Sequence, residues 1–488
     1  MIASLTKIDP VTEASRQQDS GAHIVFLLTQ GFSARTVMRS GLARLLVLQG
    51  AWITLVSPNA NEVYFQQECQ TEGVTLKQMP KTDGRIAHRF RAYRSYLLDD
   101  VMNNPSLRAD HLRRCGDRPL VGLAMGVANR TVARSSLFRR LSRTLERKIN
   151  RSKEVQQLLI QLKPNLLVLS NPFGIEETVY LLHARELGIP VVCQMLSWDN
   201  ITAKGTPLLM PDYFISWGPI MTEEIVDLYH FPRDKIYECG VPHFDVYSQE
   251  GHLIPRDALL RELNLPLNQP YIFYGMVPGY YCPNEIDILA WLADRVNRNA
   301  FAEPCSLVIR PHPLVISGFY SRSAQEMDRL KTLVGPRLVV DTPSLLSEQL
   351  PWDLPKTDMY RLASLLAGSA MCLNANSTLC LDACMLDRPV INIAFDGWRE
   401  LPYEKSARRA IDYIHMAKLL ALGGVRIARS FSELEGHINA YLRDAHLDKD
   451  GRALSVAQEC GPRDGRSAQR VASAILRLTG RVKYHPFN

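Results

Sequence analysis

The sequence predicts an α/β protein made of two domains, each with a parallel β-sheet, that face each other across a pocket. Short apolar runs alternate with helical patterns from residue 23 to about residue 239, and the alternation begins again at Tyr271. Such alternation is typical of βαβ units, in which helices connect parallel strands. The length of 488 residues also exceeds what a single hydrophobic core normally supports.

The first domain is predicted over residues 23–250. Its opening strand, 23–28, leads through a loop with one glycine, Gly31, into a helix that Gly50 ends, and the next strand covers 52–56. Because the loop follows the carboxyl end of the first strand, we expect Gly31 to lie in the wall of a pocket. Four further strands are predicted at 165–169, 190–196, 213–217 and 236–239.

An Arg-rich, mostly helical insertion is predicted within the first domain, at about 81–155. Its second half has a basic amphipathic pattern, which favours one of two placements: on an anionic membrane surface, or packed on its own domain with the charges in water. No recognition motif for nucleic acid accompanies the charge, so we expect no nucleic-acid partner. The cations of this pattern are Arg130, Arg134, Arg139, Arg140, Arg143, Arg147, Lys148, Arg151 and Lys153.

The second domain is predicted over residues 271–455, after a linker at 251–270. A tail at 456–488 contains an amphipathic helix, 467–478, which we expect to return to the first domain. Residues 1–22 are polar and are predicted to be a disordered lead-in. The strands of the second domain are predicted at 271–274, 307–309, 338–340, 371–373 and 390–393.

Composition limits the class of protein. Hydrophobic residues make up 46% and charged residues 22% of the chain, which is typical of a folded globular protein. No run of eighteen apolar residues occurs, so no membrane-spanning helix is predicted. The 10 cysteines lack metal-ligand spacing, and we expect neither a metal nor a resident cofactor. The predicted location is the cytoplasm, with the inner face of the membrane as the alternative.

The segment 374–391 predicts a phosphate site. Asn376, Ser377 and Thr378 lie where a polar loop meets the start of a helix, and a hydroxyl there can cap that helix. The unpaired N–H groups of a helix N-terminus bind phosphate well. Asp382 follows Thr378 by one turn on the same helix face, where a carboxylate can bind the hydroxyls of a ribose. The alternative is an ordinary capped helix without a ligand.

A second candidate lies at 306–313, where a buried strand ends in Arg310-Pro311-His312-Pro313. The two prolines restrict the backbone on both sides of His312. At the carboxyl end of a strand, His312 could neutralise a departing phosphate or donate a proton to it. Arg310 could bind a diphosphate, or it could pair with an acidic side chain.

These segments together resemble nucleotide-sugar-dependent transferases with the GT-B fold. The resemblance is to the group of CDP-glycerol glycerophosphotransferases of teichoic acid synthesis and to surface-polysaccharide glycosyltransferases, and it spans about residues 165–400. The matching motifs are the turn Trp198-Asp199-Asn200 with Lys204-Gly205, the hinge Gly240-Val241-Pro242-His243-Phe244-Asp245, the turn Arg310-Pro311-His312-Pro313, and Ser377-Thr378 with Asp382.

The resemblance implies inverting transfer from a nucleotide-linked donor, either a nucleoside diphosphate or a CMP sugar, to a glycan or lipid-linked acceptor. The glycerophosphotransferases carry His where this chain has Asp199, and an Asp base fits a sugar donor better. Asp199 is therefore the expected base, unless it only holds its turn through an Asx hydrogen bond. His312 is the second expected catalytic residue and acts on the departing diphosphate. Donor binding is expected from Arg310, Asn376, Ser377, Thr378 and Asp382, and the acceptor pocket from Gly31, Trp198, Asn200 and Lys204.

Three other functions stay open on the sequence alone. A nucleotide-sugar epimerase of the same fold would need further carboxylates around the sugar. A glycerol-phosphate-type transferase would use a different donor in the same place. A non-catalytic module would bind a glycan or a nucleotide without turnover.

Overall fold

The computed structural model describes residues 21–480, with the exceptions of 83, 100, 102, 116–117, 133–134, 250, 319–322, 334, 348–349 and 351. Most of the predicted lead-in and the last eight residues of the predicted tail lie outside the described residues. The described part contains two β-sheets, and all of their strand pairs are parallel. The predicted α/β class with two parallel-sheet domains is confirmed.

The sheet of the first domain has seven strands: β1 (His23–Leu27), β2 (Trp52–Ser57), β3 (Thr75–Gln78), β4 (Leu166–Leu169), β5 (Val191–Gln194), β6 (Tyr213–Ser216) and β7 (Ile236–Glu238). Their order across the sheet is β3-β2-β1-β4-β5-β6-β7. From β1 the chain adds β2 and then β3 at one edge of the sheet. It then adds β4 on the other side of β1 and continues to β7 at the opposite edge. The point between β1 and β4 is therefore a topological switch point, where open α/β sheets bind ligands.

The sheet of the second domain has six strands: β8 (Tyr271–Gly275), β9 (Ser306–Arg310), β10 (Leu338–Val340), β11 (Met371–Asn374), β12 (Val390–Ile393) and β13 (Val425–Ala428). Their order, β10-β9-β8-β11-β12-β13, repeats the topology of the first sheet. The switch point of this domain lies between β8 and β11, so the loops after these two strands are its expected ligand-binding loops.

Helices connect the strands. The first domain and its insertion contain Gly31–Ala34, Leu42–Leu48, Val63–Glu72, Arg85–Leu98, Pro105–Cys115, Pro119–Val132, Ser136–Ile149, Lys153–Leu162, Ile175–Glu186, Asn200–Ala203 and Pro219–Tyr229. The rest of the chain contains Arg256–Glu262, Glu285–Asn297, Pro313–Ile316, Ser323–Lys331, Lys356–Gly368, Leu379–Met385, Ile414–Ala421, Phe431–Arg443, Lys449–Ser455 and Ser467–Thr479. Short 3-10 or π-helical segments are Arg35–Arg39, Arg233–Lys235, Pro242–Tyr247, Ala407–Asp412 and Val456–Cys460.

The central strands were predictable because helices cover both of their faces. Every residue of β1, β4, β5, β8, β9, β11 and β12 is buried. Such strands show up in sequence as continuous apolar runs. The sequence analysis missed β3 and β13, which lie at sheet edges and carry polar residues such as Lys77 and Arg426. Edge strands are partly solvated, and their sequences lack the apolar run.

The C-terminal helix returns to the first domain, as predicted. Val471, Ile475 and Leu476 of the helix Ser467–Thr479 are buried in the same core cluster as β1 and β2. The start of this helix is held by Asp245 of the hinge motif, whose carboxylate accepts hydrogen bonds from the backbone N–H groups of Ser467 (2.9 Å) and Ala468 (2.8 Å). The aspartate of the motif therefore serves as a helix cap across more than 200 residues of sequence.

The insertion is helical, as predicted, but its amphipathic helix is turned outward. Leu137, Leu141 and Leu145 of the helix Ser136–Ile149 are exposed, while Glu146 is buried against Arg94. Packing on the domain was one of the two predicted placements, and the three leucines do not adopt it. No helix that the structure describes is long and apolar enough to cross a membrane.

A buried ion pair joins the two domains. Arg39 of the first domain donates to Asp353 of the second at 2.6 Å, and Tyr64 donates its hydroxyl to the same carboxylate. Beside this pair, the backbone of Gly31 lies so close to Trp352 and Asp353 that a Cβ atom would overlap them. The contact fixes how far apart the two sheets stand.

The capping role of Asp245 predicts a measurable loss of stability. Asp245→Ala should lower the free energy of unfolding by about 1–3 kcal/mol, because two buried N–H groups lose their acceptor. Chemical denaturation measures this difference. The exposed Asp450 provides the control substitution, Asp450→Ala, and equal stabilities of the two variants would contradict the capping role.

Candidate functional site

A cleft of about 620 Å³ lies between the carboxyl ends of the two sheets. The loops after β1, β4 and β5 form its first wall, and the loops after β8, β9 and β11 form the opposite wall. Both switch points therefore open into one space, as expected for a ligand site in facing α/β domains.

The cleft brings together most of the residues that the sequence analysis selected. Gly31 and Asp382 are not among its lining residues, although Gln30 and Phe32 on either side of Gly31 are. Gly31 instead packs on the second domain, so its expected place in the pocket wall is corrected. The selected residues that line the cleft are Trp198, Asp199, Asn200, Lys204, Arg310, His312, Asn376, Ser377 and Thr378.

Asp199 is a half-buried carboxylate held in its ionised form. Burial disfavours the charge, but Lys204, His415 and the hydroxyl of Ser197, which donates to Asp199 at 2.5 Å, outweigh it and lower the pKa of the carboxyl. The side chain does not cap the short helix Asn200–Ala203 that follows it. The carboxylate therefore lines the cleft while also accepting a hydrogen bond from Ser197 of its own turn.

His415 is the second ionisable group at this place, and the sequence analysis did not select it. It comes from the second domain, at the start of the helix Ile414–Ala421, and crosses to the first. Its ring lies edge-on to Trp198 at 4.7 Å, and its Nδ1 is 2.8 Å from the hydroxyl of Thr202. Burial lowers the pKa of His415 below its usual value, although Asp199 opposes this. His415 is therefore a neutral neighbour of a charged carboxylate.

Lys204 is placed by a turn that the insertion anchors. Asp99 accepts a hydrogen bond from the N–H of Thr206 at 3.1 Å, and Arg94 donates to the carbonyl of Thr206 at 2.9 Å. Gly205, which lies between Lys204 and Thr206, has a φ of +76°, in the left-handed region that favours glycine. A side chain at this position would collide with Asp99. The ammonium group of Lys204 is thereby held beside Asp199.

His312 faces this charge cluster from the opposite wall. Its Nδ1 accepts a hydrogen bond from the N–H of Leu314 at 3.1 Å, so the neutral ring carries its proton on Nε2. Burial lowers the pKa of His312 to about 3. In the free protein His312 is therefore a neutral hydrogen-bond donor and not the cation that one of the sequence alternatives assumed.

Arg310 supports the wall behind His312. Its guanidinium forms ion pairs with both Asp341 and Asp358, which are themselves buried. Of the two sequence alternatives, pairing with acidic side chains is the one that the structure shows, although these acids are buried and not on the surface. A role of Arg310 in fixing the β9 turn is favoured over direct binding of a diphosphate.

The Ser377 loop has the polar groups that were predicted, in a different arrangement. The helix begins at Leu379, the Ser377 hydroxyl accepts from the N–H of Leu379 at 3.3 Å, and Thr378 makes no capping bond. Asn376 has a φ of +55, and its Oδ1 is buried without a hydrogen-bond partner among the described residues. Asn376, Ser377 and Thr378 all line the cleft.

Asp382 lies behind the wall and not in the cleft. Its carboxylate accepts a hydrogen bond from the hydroxyl of Tyr247, and burial raises its pKa. The expected contact of Asp382 with a ribose is therefore corrected. Arg35 of the first domain lies near it and lines the cleft; its Nε and Nη2 atoms are buried without a hydrogen-bond partner among the described residues.

No group of three or more His, Cys, Asp and Glu side chains in the described part of the chain is arranged to hold a metal ion.

The sequence profile of the family described as CDP-glycerol:poly(glycerophosphate) glycerophosphotransferase matches residues 200–477, more than half of the chain. The chain belongs to this glycerophosphotransferase family. The match covers the whole second domain and the returning C-terminal helix, and it begins one residue after Asp199. No curated protein matched the chain.

Solved structures similar to this family member share its fold. The complex of Staphylococcus aureus MnaA with UDP aligns with a TM-score of 0.57 at 9% identity, over 96% of this chain and 99% of that one. The UDP-GlcNAc 2-epimerase from Neisseria meningitidis bound to UDP-GlcNAc gives 0.53 at 10% identity, over 93% and 100%. A glycosyltransferase from Rickettsia africae gives 0.50 at 10% identity, over 94% and 99%. These likenesses show the GT-B fold of two facing Rossmann-like domains.

The neutral state of His312 predicts how stability depends on pH. Unfolded histidine gains a proton near pH 6.5, whereas folded His312 does so only near pH 3, so below pH 6.5 the unfolded state binds more protons. Stability should therefore be complete above pH 6.5 and fall towards pH 3. The free energy of unfolding of the native protein, measured with denaturant, should fall more steeply with decreasing pH than that of His312→Gln. The difference in slope should be at most about 1.4 kcal/mol per pH unit.

Other buried histidines contribute to the slope in both proteins, so only the difference reports on His312. The exposed His446 provides the control, His446→Gln. Equal slopes for the native protein and His312→Gln would show that His312 is not held neutral by the fold.

Proposed function

We propose that this protein transfers a sugar from a nucleotide-sugar donor to a glycan or lipid-linked acceptor, with inversion and without a metal. The observation that carries the proposal is the ionised Asp199 in the cleft between the two domains. A carboxylate there can accept the proton of an acceptor hydroxyl as its oxygen attacks the anomeric carbon. The bond from that carbon to the donor phosphate breaks in the same step.

The opposite wall supplies groups for the departing nucleotide. The Nε2–H of His312 donates a hydrogen bond, and the Thr378 hydroxyl and the backbone N–H groups of the Ser377 loop add others. Such donors stabilise the negative charge that develops on a leaving phosphate. Arg35, which lines the cleft from the first domain, is a further cation for the same purpose, because its buried Nε and Nη2 atoms have no hydrogen-bond partner among the described residues.

The carboxylates of the cleft favour transfer over epimerisation. Three aspartates line it among the described residues, but Asp110 is paired with Arg113 and Arg114, and Asp358 is paired with Arg310. One carboxylate, Asp199, is then left for proton transfer, which suffices for a transferase. The family match makes glycerol phosphate the second candidate for the transferred group.

Membrane contact through the insertion is part of the proposal. Ten of the 20 exposed large hydrophobic side chains of the described structure lie between residues 81 and 155. The helix Pro119–Val132 exposes Leu120 and Leu123, and the helix Ser136–Ile149 exposes its leucines among arginines. Apolar and basic side chains on one surface are typical of helices that lie on an anionic membrane. The proposed location is the cytoplasmic face of a membrane.

The function predicts a ligand and a base that can be tested in order. A thermal-shift screen against UDP, CDP, GDP, dTDP and CMP should identify the nucleotide, because a ligand of the folded state raises the melting temperature. With the matching nucleotide sugar, Asp199→Asn should reduce turnover by roughly 10²–10⁴-fold. Nucleotide binding should be unchanged, because Asp199 is not among the groups assigned to the nucleotide.

Asp227, an exposed carboxylate of the first domain, provides the control Asp227→Asn. Full activity of Asp199→Asn would exclude Asp199 as the base. Turnover of CDP-glycerol in preference to all nucleotide sugars would favour the second candidate, and isomerised donor without a transfer product would favour an epimerase.

Membrane contact predicts binding to vesicles that contain an anionic lipid. The triple substitution of Arg139, Arg140 and Arg143 by Glu should abolish flotation with such vesicles at low salt, since each charge contributes about 1 kcal/mol near the surface. High salt should weaken binding of the native protein. The control replaces Arg298, Arg429 and Arg443, exposed cations of the second domain, with Glu. Equal flotation of the two variants would exclude this helix as the anchor.

A further inference from the structure

A second pocket, of about 260 Å³, lies between the insertion and the first domain. Its walls are the helices Arg85–Leu98 and Pro105–Cys115 and the turn at Ala203 and Lys204. No element of the proposed transfer reaction uses the part of the pocket that the insertion forms. Its lining residues are His88, Arg91, Ala92, Arg94, Ser95, Asp99, Val101, Leu107, Asp110, His111, Arg114, Ala203 and Lys204.

The pocket adjoins the main cleft. Five residues line both spaces and form the boundary between the two. Lys204 stands at this boundary and interacts electrostatically with Asp199, the proposed base. A ligand in the pocket would therefore be directly adjacent to the reacting centre. The shared residues are Arg91, Asp110, Arg114, Ala203 and Lys204.

The described lining of the pocket carries more positive than negative charge. Its cations are Arg91, Arg94, Arg114 and Lys204, and its carboxylates are Asp99 and Asp110. Both carboxylates are already engaged: Asp99 accepts from Thr206 and lies 3.8 Å from Arg94, and Asp110 pairs with Arg114 at 2.8 Å.

Arg91 is the cation that these carboxylates do not neutralise. Its guanidinium forms no hydrogen bond or ion pair with any residue that the structure describes, although it faces both spaces. Burial and the neighbouring Arg94 lower the pKa of Arg91 to about 10, although Glu146, Glu176 and Asp99 oppose this, and Arg91 remains charged at neutral pH. An anion in the pocket would relieve both effects, and a guanidinium binds phosphate oxygens well.

We propose that this pocket binds a phosphate or diphosphate group of the acceptor substrate. The donor phosphates are assigned to His312, the Ser377 loop and Arg35, none of which lines this pocket, so a separate anion site here serves the other substrate. An acceptor phosphate at Arg91 would place the attacking hydroxyl beside Asp199. This assignment deepens the proposed transferase function and rests on it.

The test measures binding of inorganic pyrophosphate to the full-length protein by calorimetry. Arg91→Gln should weaken binding by about tenfold or more, as expected when a charge-assisted hydrogen bond is lost. Arg91→Lys should retain part of the affinity. Arg89, two residues away on the same helix but outside both pockets, provides the control Arg89→Gln, which removes the same charge and should bind like the native protein.

Lys204, like Arg91, lines both the pocket and the cleft. Lys204→Gln is therefore the second variant and should also weaken pyrophosphate binding. Equal affinities of the native protein, Arg91→Gln and Lys204→Gln would overturn the proposal. Stabilisation by nucleotides is measured in parallel and should not change in Arg91→Gln. If no nucleotide stabilises the protein while pyrophosphate binding still depends on Arg91, the proposed function fails and the anion site stands.

The source of the phosphate is separated by a second probe. Geranyl diphosphate carries the same group on a short isoprenoid chain. Tighter binding of geranyl diphosphate than of pyrophosphate, lost in Arg91→Gln, assigns the site to a lipid-linked acceptor. Equal and Arg91-dependent binding of the two probes assigns it to a soluble phosphorylated acceptor.

Discussion

The buried ion pair between Arg39 and Asp353 determines the geometry of the cleft. Removing two charges from water costs several kcal/mol per ion unless they meet with good geometry, and here Tyr64 adds a further donor to the same carboxylate. The pair therefore forms only when the two domains stand at one distance. Gly31 permits that distance because it has no Cβ atom to hold the second domain away. The contacts of His415 with Trp198 and Thr202 depend on the same approach.

The two walls of the cleft show how burial produces opposite protonation states. Burial alone disfavours charge on any side chain. Among the described residues no acidic side chain opposes this effect at His312, and the ring remains neutral with an Nε2–H that can donate a hydrogen bond. Asp199 is equally enclosed, but Lys204, His415 and Ser197 outweigh the cost of burial, and it remains a charged acceptor. A proton acceptor on one wall of the cleft and a hydrogen-bond donor on the other are therefore present at the same pH, an arrangement that suits base-assisted attack and a stabilised leaving group.

The sequence was sufficient for features that depend on local pattern. Buried parallel strands produced apolar runs, and the turns after them contained Asp199, His312 and Ser377, which do line the cleft. Asp382 was misplaced because helical spacing gives the face of a residue but not the neighbour, here Tyr247, that covers it. His415 could not be predicted, because its partner Thr202 lies 213 residues away and no motif surrounds it. The edge strands β3 and β13 lacked the apolar run for a similar reason: solvent covers part of them.

The insertion links the protein surface to the reacting centre through one chain of polar contacts. Glu146 is buried on the inner side of the helix Ser136–Ile149, which explains why the leucines of that helix point outward. It pairs with Arg94, which donates to the carbonyl of Thr206 and so holds the turn that carries Lys204. This helix buries a carboxylate and exposes a row of leucines, which is the reverse of the usual packing of a helix on a core. That arrangement is explicable if the apolar row has a partner outside the chain, because otherwise turning the leucines inward would be the more stable choice.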